Sequence, residues 1–167
     1  MYFSLLPLVE VLMVFIALKN KARKAAHCFL CPLQPHLNTP RLVGQGKYTY
    51  WGFDVYMASL WTGERSLRSD QWQTQRLALE LRYLRDFDGK DIAKRSVDEM
   101  HMQNPLTPST AQAWLKTLEA LFPNVRKGQS LTGIYVPNGS AQFLFNNAPL
   151  GTIADTELAK RFFAIWL

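Results

Sequence analysis

The apolar positions of the chain change period several times between Gly44 and Leu167. The first stretch, GKYTYWGFDVY continuing through VYMASLW to Trp61, is crowded with rings and reads as a strand. Side chains alternate along a strand. Tyr48, Tyr50, Gly52, Asp54 and Tyr56 then share one face, and Thr49, Trp51, Phe53 and Val55 the other. A sheet packed on helices with one face and wet on the other shows a single apolar face. Here both faces carry aromatics, so the second face needs a partner of its own.

TGERSLRSDQWQTQ is polar and predicts a loop. RLALELRYLRDF predicts the next strand, with Leu77, Leu79, Leu81 and Tyr83 on one face, Glu80 and Arg82 on the other, and Asp88-Gly89 ending it. DIAKRSVDEM has helical spacing. Ala93, Val97 and Met100 fall on one side; Lys94, Arg95, Asp98 and Glu99 are more exposed, with Arg95 and Glu99 an i,i+4 pair. After NPLTPST a second helix begins, with Thr107 suited to the N-cap and Pro108 to the first helical position. Its stripe is Ala111, Trp114, Leu115, Leu118 and Leu121 with Phe122, and Pro123 stops it. SLTGIYV and AQFLF flank a turn at Asn138-Gly139, NNAP turns again, and LGTI is a short strand. Asp155 caps a last helix, TELAKRFFAIWL, whose Leu158, Phe162, Ile165 and Trp166 face inward. Strands joined by tight turns, then helices, then strands, predict an α+β fold with an antiparallel β-sheet.

At 167 residues and 48% hydrophobic content the chain can build one domain with a real core. Its net charge of +6 is unevenly placed. Five basic residues against Glu10 precede residue 44, whereas the remainder carries 14 basic and 12 acidic side chains. The domain therefore lacks the basic stripe of a nucleic-acid binder. The expected organisation is an apolar leader or membrane anchor at 1–18, a basic, Pro-containing linker at 19–43, and a folded domain at 44–167. The leader approaches the length of a span, but Pro7 and Glu10 interrupt it. Basic residues follow it, which suits an N-out anchor better than a secretory signal. Periplasmic or membrane-anchored placement is the expectation, and cytoplasmic placement if the start codon is misassigned. Cys28 and Cys31 sit near His27 and His36 in a spacing that matches no common zinc pattern, and Pro32 and Pro35 oppose the helix a redox pair needs. No metal or cofactor is expected.

Four blocks in order, YTYWGFDVYMASLW, ALELRYLRDFDGKDIAKRSVDEM, LFPNVRKGQSLTGIYVPNGSAQFLFNNAPLGTI and DTELAKRFFAIWL, resemble the bacterial chalcone isomerase-like proteins from about Gly44 to Leu167. The resemblance implies an open-faced sandwich, an antiparallel β-sheet with helices layered on one face, and a cleft between sheet and helices. In the plant enzymes this cleft holds a flavonoid; in related non-catalytic proteins it holds a fatty acid. Ring closure in such an isomerase needs a cation for the phenolate, donors for the developing oxyanion, and a shaped pocket. The resemblance sets Trp51 at the position of the catalytic strand threonine, Ile92 near the tyrosine and Glu99 near the asparagine. The arginine has only Arg41 and Lys47 nearby in sequence. The catalytic positions are not matched, and enzyme activity is left open.

The candidate ligand-binding residues are Arg82, Tyr83, Trp51, Tyr50 and Lys47. Arg82, mid-strand among apolar neighbours, can meet a ligand carboxylate or phenolate in a bidentate way, or pair with Glu80 on a solvated face. His101 is the one histidine of the 44–167 segment, with no nucleophile motif beside it. The expected function is a non-catalytic domain that holds a small apolar or weakly acidic molecule, fatty acid or flavonoid-like. The alternatives are an intramolecular lyase with a rearranged site and a membrane-tethered envelope interaction module.

Overall fold

A computed structural model describes residues 33–167. Six strands form one antiparallel meander in chain order: β1 (Arg41–Tyr50), β2 (Phe53–Thr62), β3 (Leu77–Tyr83), β4 (Ser130–Tyr135), β5 (Ala141–Phe145) and β6 (Ala148–Ile153). Two helices, α1 (Gly89–Gln103) and α2 (Pro108–Leu121), are inserted between β3 and β4, and α3 (Thr156–Ala164) follows β6. This is the α+β arrangement the hydrophobic pattern predicts, in the open-faced form the family resemblance implies.

The ring-rich stretch is two strands, not one. Trp51 and Gly52 adopt left-handed backbone, φ 51° and 76°, and turn the chain back on itself. Two consecutive positive φ values make the tight hairpin turn whose twist matches antiparallel strands. Trp is rare in this role, which is why the sequence pattern runs straight through it. The turn brings Tyr48 opposite Tyr56. Their rings stack at 5.1 Å and 23° between planes. The Asn138-Gly139 and Asn146-Asn147 turns place asparagine, a non-glycine residue that tolerates positive φ well, in left-handed backbone, and both fall where their sequence predicts.

One sheet face is covered by α1, α2 and α3. Leu79, Leu81 and Tyr83 of β3, with Phe143 of β5, meet Trp114, Leu118, Phe162 and Phe163 from the helices in one core. Fully burying a Phe or Leu side chain contributes about 1.5–3 kcal/mol. The opposite face has a smaller cluster. There Leu33 and Leu37 pack on Trp61, Ala78, Ile134 and Leu144. Structured residues therefore include Leu33, Leu37 and the start of β1, upstream of Gly44 and within the stretch expected to be linker. From the ring-rich stretch Trp61 joins this second cluster, whereas Trp51 and Phe53, expected on the same second face, stand 71% and 61% exposed at the hairpin tip. Residues 1–32, with the leader, Cys28, Cys31 and His27, lie outside the described residues.

The predicted caps form. Thr107 accepts a hydrogen bond from Thr110 N–H at 3.2 Å, and Asp155 Oδ1 accepts from Glu157 and Leu158 N–H at 2.9 and 3.0 Å. The first helix instead starts without a side-chain cap. Its Gly89 N–H donates to Asn124 Oδ1 at 2.9 Å, which anchors α1 to the chain leaving α2. The polar loop after β2 contains a 3-10 turn, Ser69–Thr74, that buries Trp72 against Tyr135 at 5.2 Å. No helix among the described residues is long and apolar enough to cross a membrane.

Candidate functional site: a cavity between sheet and helices

Between the helix-covered face of the sheet and α1 lies a cavity of about 350 Å³. Strand periodicity supplies its floor. Leu79, Leu81 and Tyr83 alternate onto one face of β3, and Tyr56, Leu131 and Phe143 join them from β2, β4 and β5. The β1–β2 hairpin closes one side with the stacked Tyr48 and Tyr56. Phe162, Ile165 and Trp166 close another, from α3 and the residues after it. At Gly133 an added Cβ would lie 2.9 Å from Phe163 and 3.2 Å from Phe143, so only glycine lets those rings approach the strand.

The polar groups come mainly from one stripe of α1. Ile92, Arg95, Ser96 and Glu99 recur at helical spacing and line the cavity together with Asp91. Glu99 is buried, with its side chain 9% exposed, while the Arg95 side chain is 52% exposed. Arg95 Nη2 lies 2.6 Å from Glu99 Oε1. Burial pushes the Glu99 carboxyl above its ordinary range, Arg95 opposes that shift and Asp98 adds to it. Ser96 turns its hydroxyl back to the Ile92 carbonyl at 2.8 Å and is engaged within the helix. Trp166 Nε1–H donates to the Tyr56 hydroxyl oxygen at 3.2 Å. The Tyr56 phenol is pushed up to about 12, chiefly by burial, and the Trp166 bond partly offsets this. Burial, with Tyr56 beside it, raises Tyr83 as well. Both phenols are neutral donors at physiological pH.

Of the residues singled out in the sequence, the structure brings Tyr83 to the cavity. Arg82 is on the other face of β3, where it meets Glu80 at 3.2 Å with its side chain 39% exposed. The ion pair weighed as the alternative is the arrangement present, and Arg82 does not point into the cavity. Lys47 shares that outer face through Met57, the residue paired with both, and bonds Asp54 at 2.8 Å. Tyr50 and Trp51, 50% and 71% exposed, stand at the hairpin tip away from the cavity. The physical reason is the turn: once Trp51-Gly52 reverses the chain, the tip residues project past the sheet. Two residues named through the resemblance, Ile92 and Glu99, do line the cavity, whereas Trp51 does not. The sequence pattern alone sets Glu99 and Arg95 on the more exposed side of α1. The spacing of Ile92, Arg95, Ser96 and Glu99 is the signal that could have found them. No group of three or more potential metal ligands occurs among the described residues.

The sequence model of the chalcone isomerase-like family matches residues 34–167. The chain belongs to that family. A chalcone isomerase-like domain thus spans the whole described sheet and its helices. An uncharacterized protein of Haemophilus influenzae is 26% identical over 125 residues, covering 75% of this chain and 59% of that protein. The chain thus spans about three fifths of the length of the curated relative it matches. Among solved structures, the fatty-acid binding protein AtFAP1 of Arabidopsis thaliana superposes with a TM-score of 0.56 at 10% identity, over 77% of this chain and 80% of that one. At that identity the likeness is one of fold.

Proposed function

We propose that this chalcone isomerase-like domain is a non-catalytic binding protein whose ligand is a small, largely apolar molecule of fatty-acyl or flavonoid size. The observation that carries the proposal is the cavity itself. Its volume of about 350 Å³ falls in the usual range of ligand sites, ~300–1,000 Å³. Its walls are mostly Leu, Phe, Ile and Trp, with charge confined to the α1 stripe. The fatty-acid binding protein with the same fold supports an acyl ligand.

The polar groups argue against ring closure. Phenolate stabilisation is favoured by a net positive neighbour, and the charge of Arg95 is offset by Glu99 at 2.6 Å. Ile92 offers no donor where the plant enzymes place a phenol.

Native mass spectrometry of the full chain purified under mild conditions should show a bound small molecule. A thermal-shift series with decanoic acid, decanol and a flavanone should raise Tm for at least one. A protein that is empty and unmoved by all three overturns the proposal. Addition of 2'-hydroxychalcone should form flavanone no faster than buffer alone. The apolar run at 1–18 supports tethering at the cell envelope, and recovery of the full chain in the soluble cytoplasmic fraction would overturn that part.

A further inference from the structure

The charged residues lining the cavity are Asp91, Arg95 and Glu99, two carboxylates against one guanidinium. The Glu99 carboxylate, 2.6 Å from Arg95 Nη2, already offsets that positive charge. A ligand carboxylate that sought Arg95 would arrive beside a carboxylate already there, in a site walled by Tyr56, Phe162, Ile165 and Trp166. Two like charges a few ångströms apart in a water-poor site do not both stay ionised. The other donor on offer is uncharged. Trp166 Nε1–H occupies a lone pair of the Tyr56 oxygen, so the Tyr56 O–H is left to donate. A phenol of this kind suits a hydroxyl, ester or undissociated acid as well as an anion.

We infer that the cavity takes its ligand in uncharged form, and that a carboxylic acid enters only with one proton taken up, shared between its own carboxyl and Glu99. Glu99 is thereby the residue that discriminates head groups. This rests on the proposed ligand-binding role of the same cavity. The groups acting on Glu99 are Arg95 and Asp98 from α1 itself, and it is coupled to the Tyr56 phenol of β2. Tyr48 of β1, Tyr83 of β3 and Asp91 of α1 complete the titratable lining, and Ile165 and Trp166 bring no charge. The raised position of the Glu99 carboxyl agrees with proton uptake there.

The test is calorimetric titration of the full chain with decanoate and with decanol between about pH 6 and 8.5, where a free carboxylic acid stays ionised. Decanol should bind equally across the range. Decanoate should weaken as pH rises, by up to about tenfold per pH unit, the limit for one proton taken up per ligand. In Glu99→Gln the decanoate dependence should flatten and its affinity at the alkaline end should rise. Arg95→Gln removes the cation of the lining and should weaken decanoate and spare decanol, with an unfolding scan of the variant confirming that it folds. Decanoate binding that ignores pH in the native protein, or a slope that survives in Glu99→Gln, overturns the inference and leaves the ligand-binding role standing. If neither compound binds at any pH, both fail together.

Discussion

Trp166 donates its indole N–H to the hydroxyl of Tyr56, 110 positions earlier, across 3.2 Å. The bond joins the last turn of the chain to the second strand of the sheet, over the cavity between them. Tyr56 in turn stacks on Tyr48 and meets Tyr83 edge-on at 6.2 Å. Three elements distant in sequence therefore share one aromatic wall. A ligand in the cavity touches a surface that exists only when the hairpin, the central strand and the C-terminal residues are all in place.

Filling the cavity should abolish binding without unfolding the protein. Ile92→Trp adds a large ring from α1 into the void. Affinity for decanol should fall by more than about tenfold, since a displaced apolar ligand loses over about 1.4 kcal/mol. Tm should hold or rise. Retained binding in the filled variant would place the ligand elsewhere.

The buried phenols set an alkaline limit. Tyr56, at about 12, and Tyr83 keep their protons in the folded state, whereas an unfolded tyrosine loses its own near about pH 10. Their folded values are raised, so stability is intact below about pH 10 and falls as pH climbs toward 12. The unfolding free energy from urea titrations between about pH 9 and 11.5 should fall by up to about 1.4 kcal/mol per pH unit per phenol. Tyr56→Phe should make that decline shallower. A flat profile would mean that the phenols are solvated.

The hairpin tip tolerates a better turn former. Trp51 holds φ 51°, which Asn adopts at less cost. Trp51→Asn should stabilise by about 0.5–1 kcal/mol. It should leave ligand affinity unchanged, because Trp51 is 71% exposed and away from the cavity. Loss of binding in this variant would restore Trp51 to the site.

Asp155 does two jobs and Thr107 one. Asp155 Oδ1 caps α3 while its Oδ2 accepts the Trp114 indole N–H at 3.1 Å, tying α3 to α2. Asp155→Ala should cost about 2 kcal/mol in chemical denaturation, a cap plus an orphaned indole. Thr107→Ala, at an exposed cap, should cost about half that. Equal effects would remove the inter-helix role of Asp155.

Gly89 and Gly151 separate backbone from side-chain crowding. An added Cβ at Gly89 would sit 2.1 Å from the Phe122 carbonyl oxygen, which cannot swing away. At Gly151 it would meet Leu121 Cδ1 at 2.6 Å, the end of a flexible side chain. Gly89→Ala should cost about 2–3 kcal/mol, and Gly151→Ala less than about 1. A mild Gly89→Ala would mean that α1 can slide away from the chain after α2.

Much of the fold was legible because its signals are local. Asp155, Thr107-Pro108 and Asn138-Gly139 each act on backbone within four residues, so residue type alone announces the cap or turn. Trp51-Gly52 escaped because a bulky residue in left-handed backbone breaks the statistical rule on which turn reading rests. Trp72 escaped for a related reason: one buried ring in a polar stretch leaves no period. For the site, Tyr83 could be assigned to the apolar face of its strand. Which face held the cavity could not be known, and that choice excluded Arg82.

By itself the sequence determined the strand and helix alternation, the caps, the Asn-based turns and the family, since each depends on spacing along one segment. Only the tertiary structure decided that the ring-rich stretch folds on itself, that residues near Leu33 and Leu37 back the outer face, and that Arg95 and Glu99 close on a hollow. Packing is a relation between segments far apart in the chain. A charged pair one turn apart on a helix has the same spacing whether it faces water or an oily cavity, and only the elements docked against it distinguish the two.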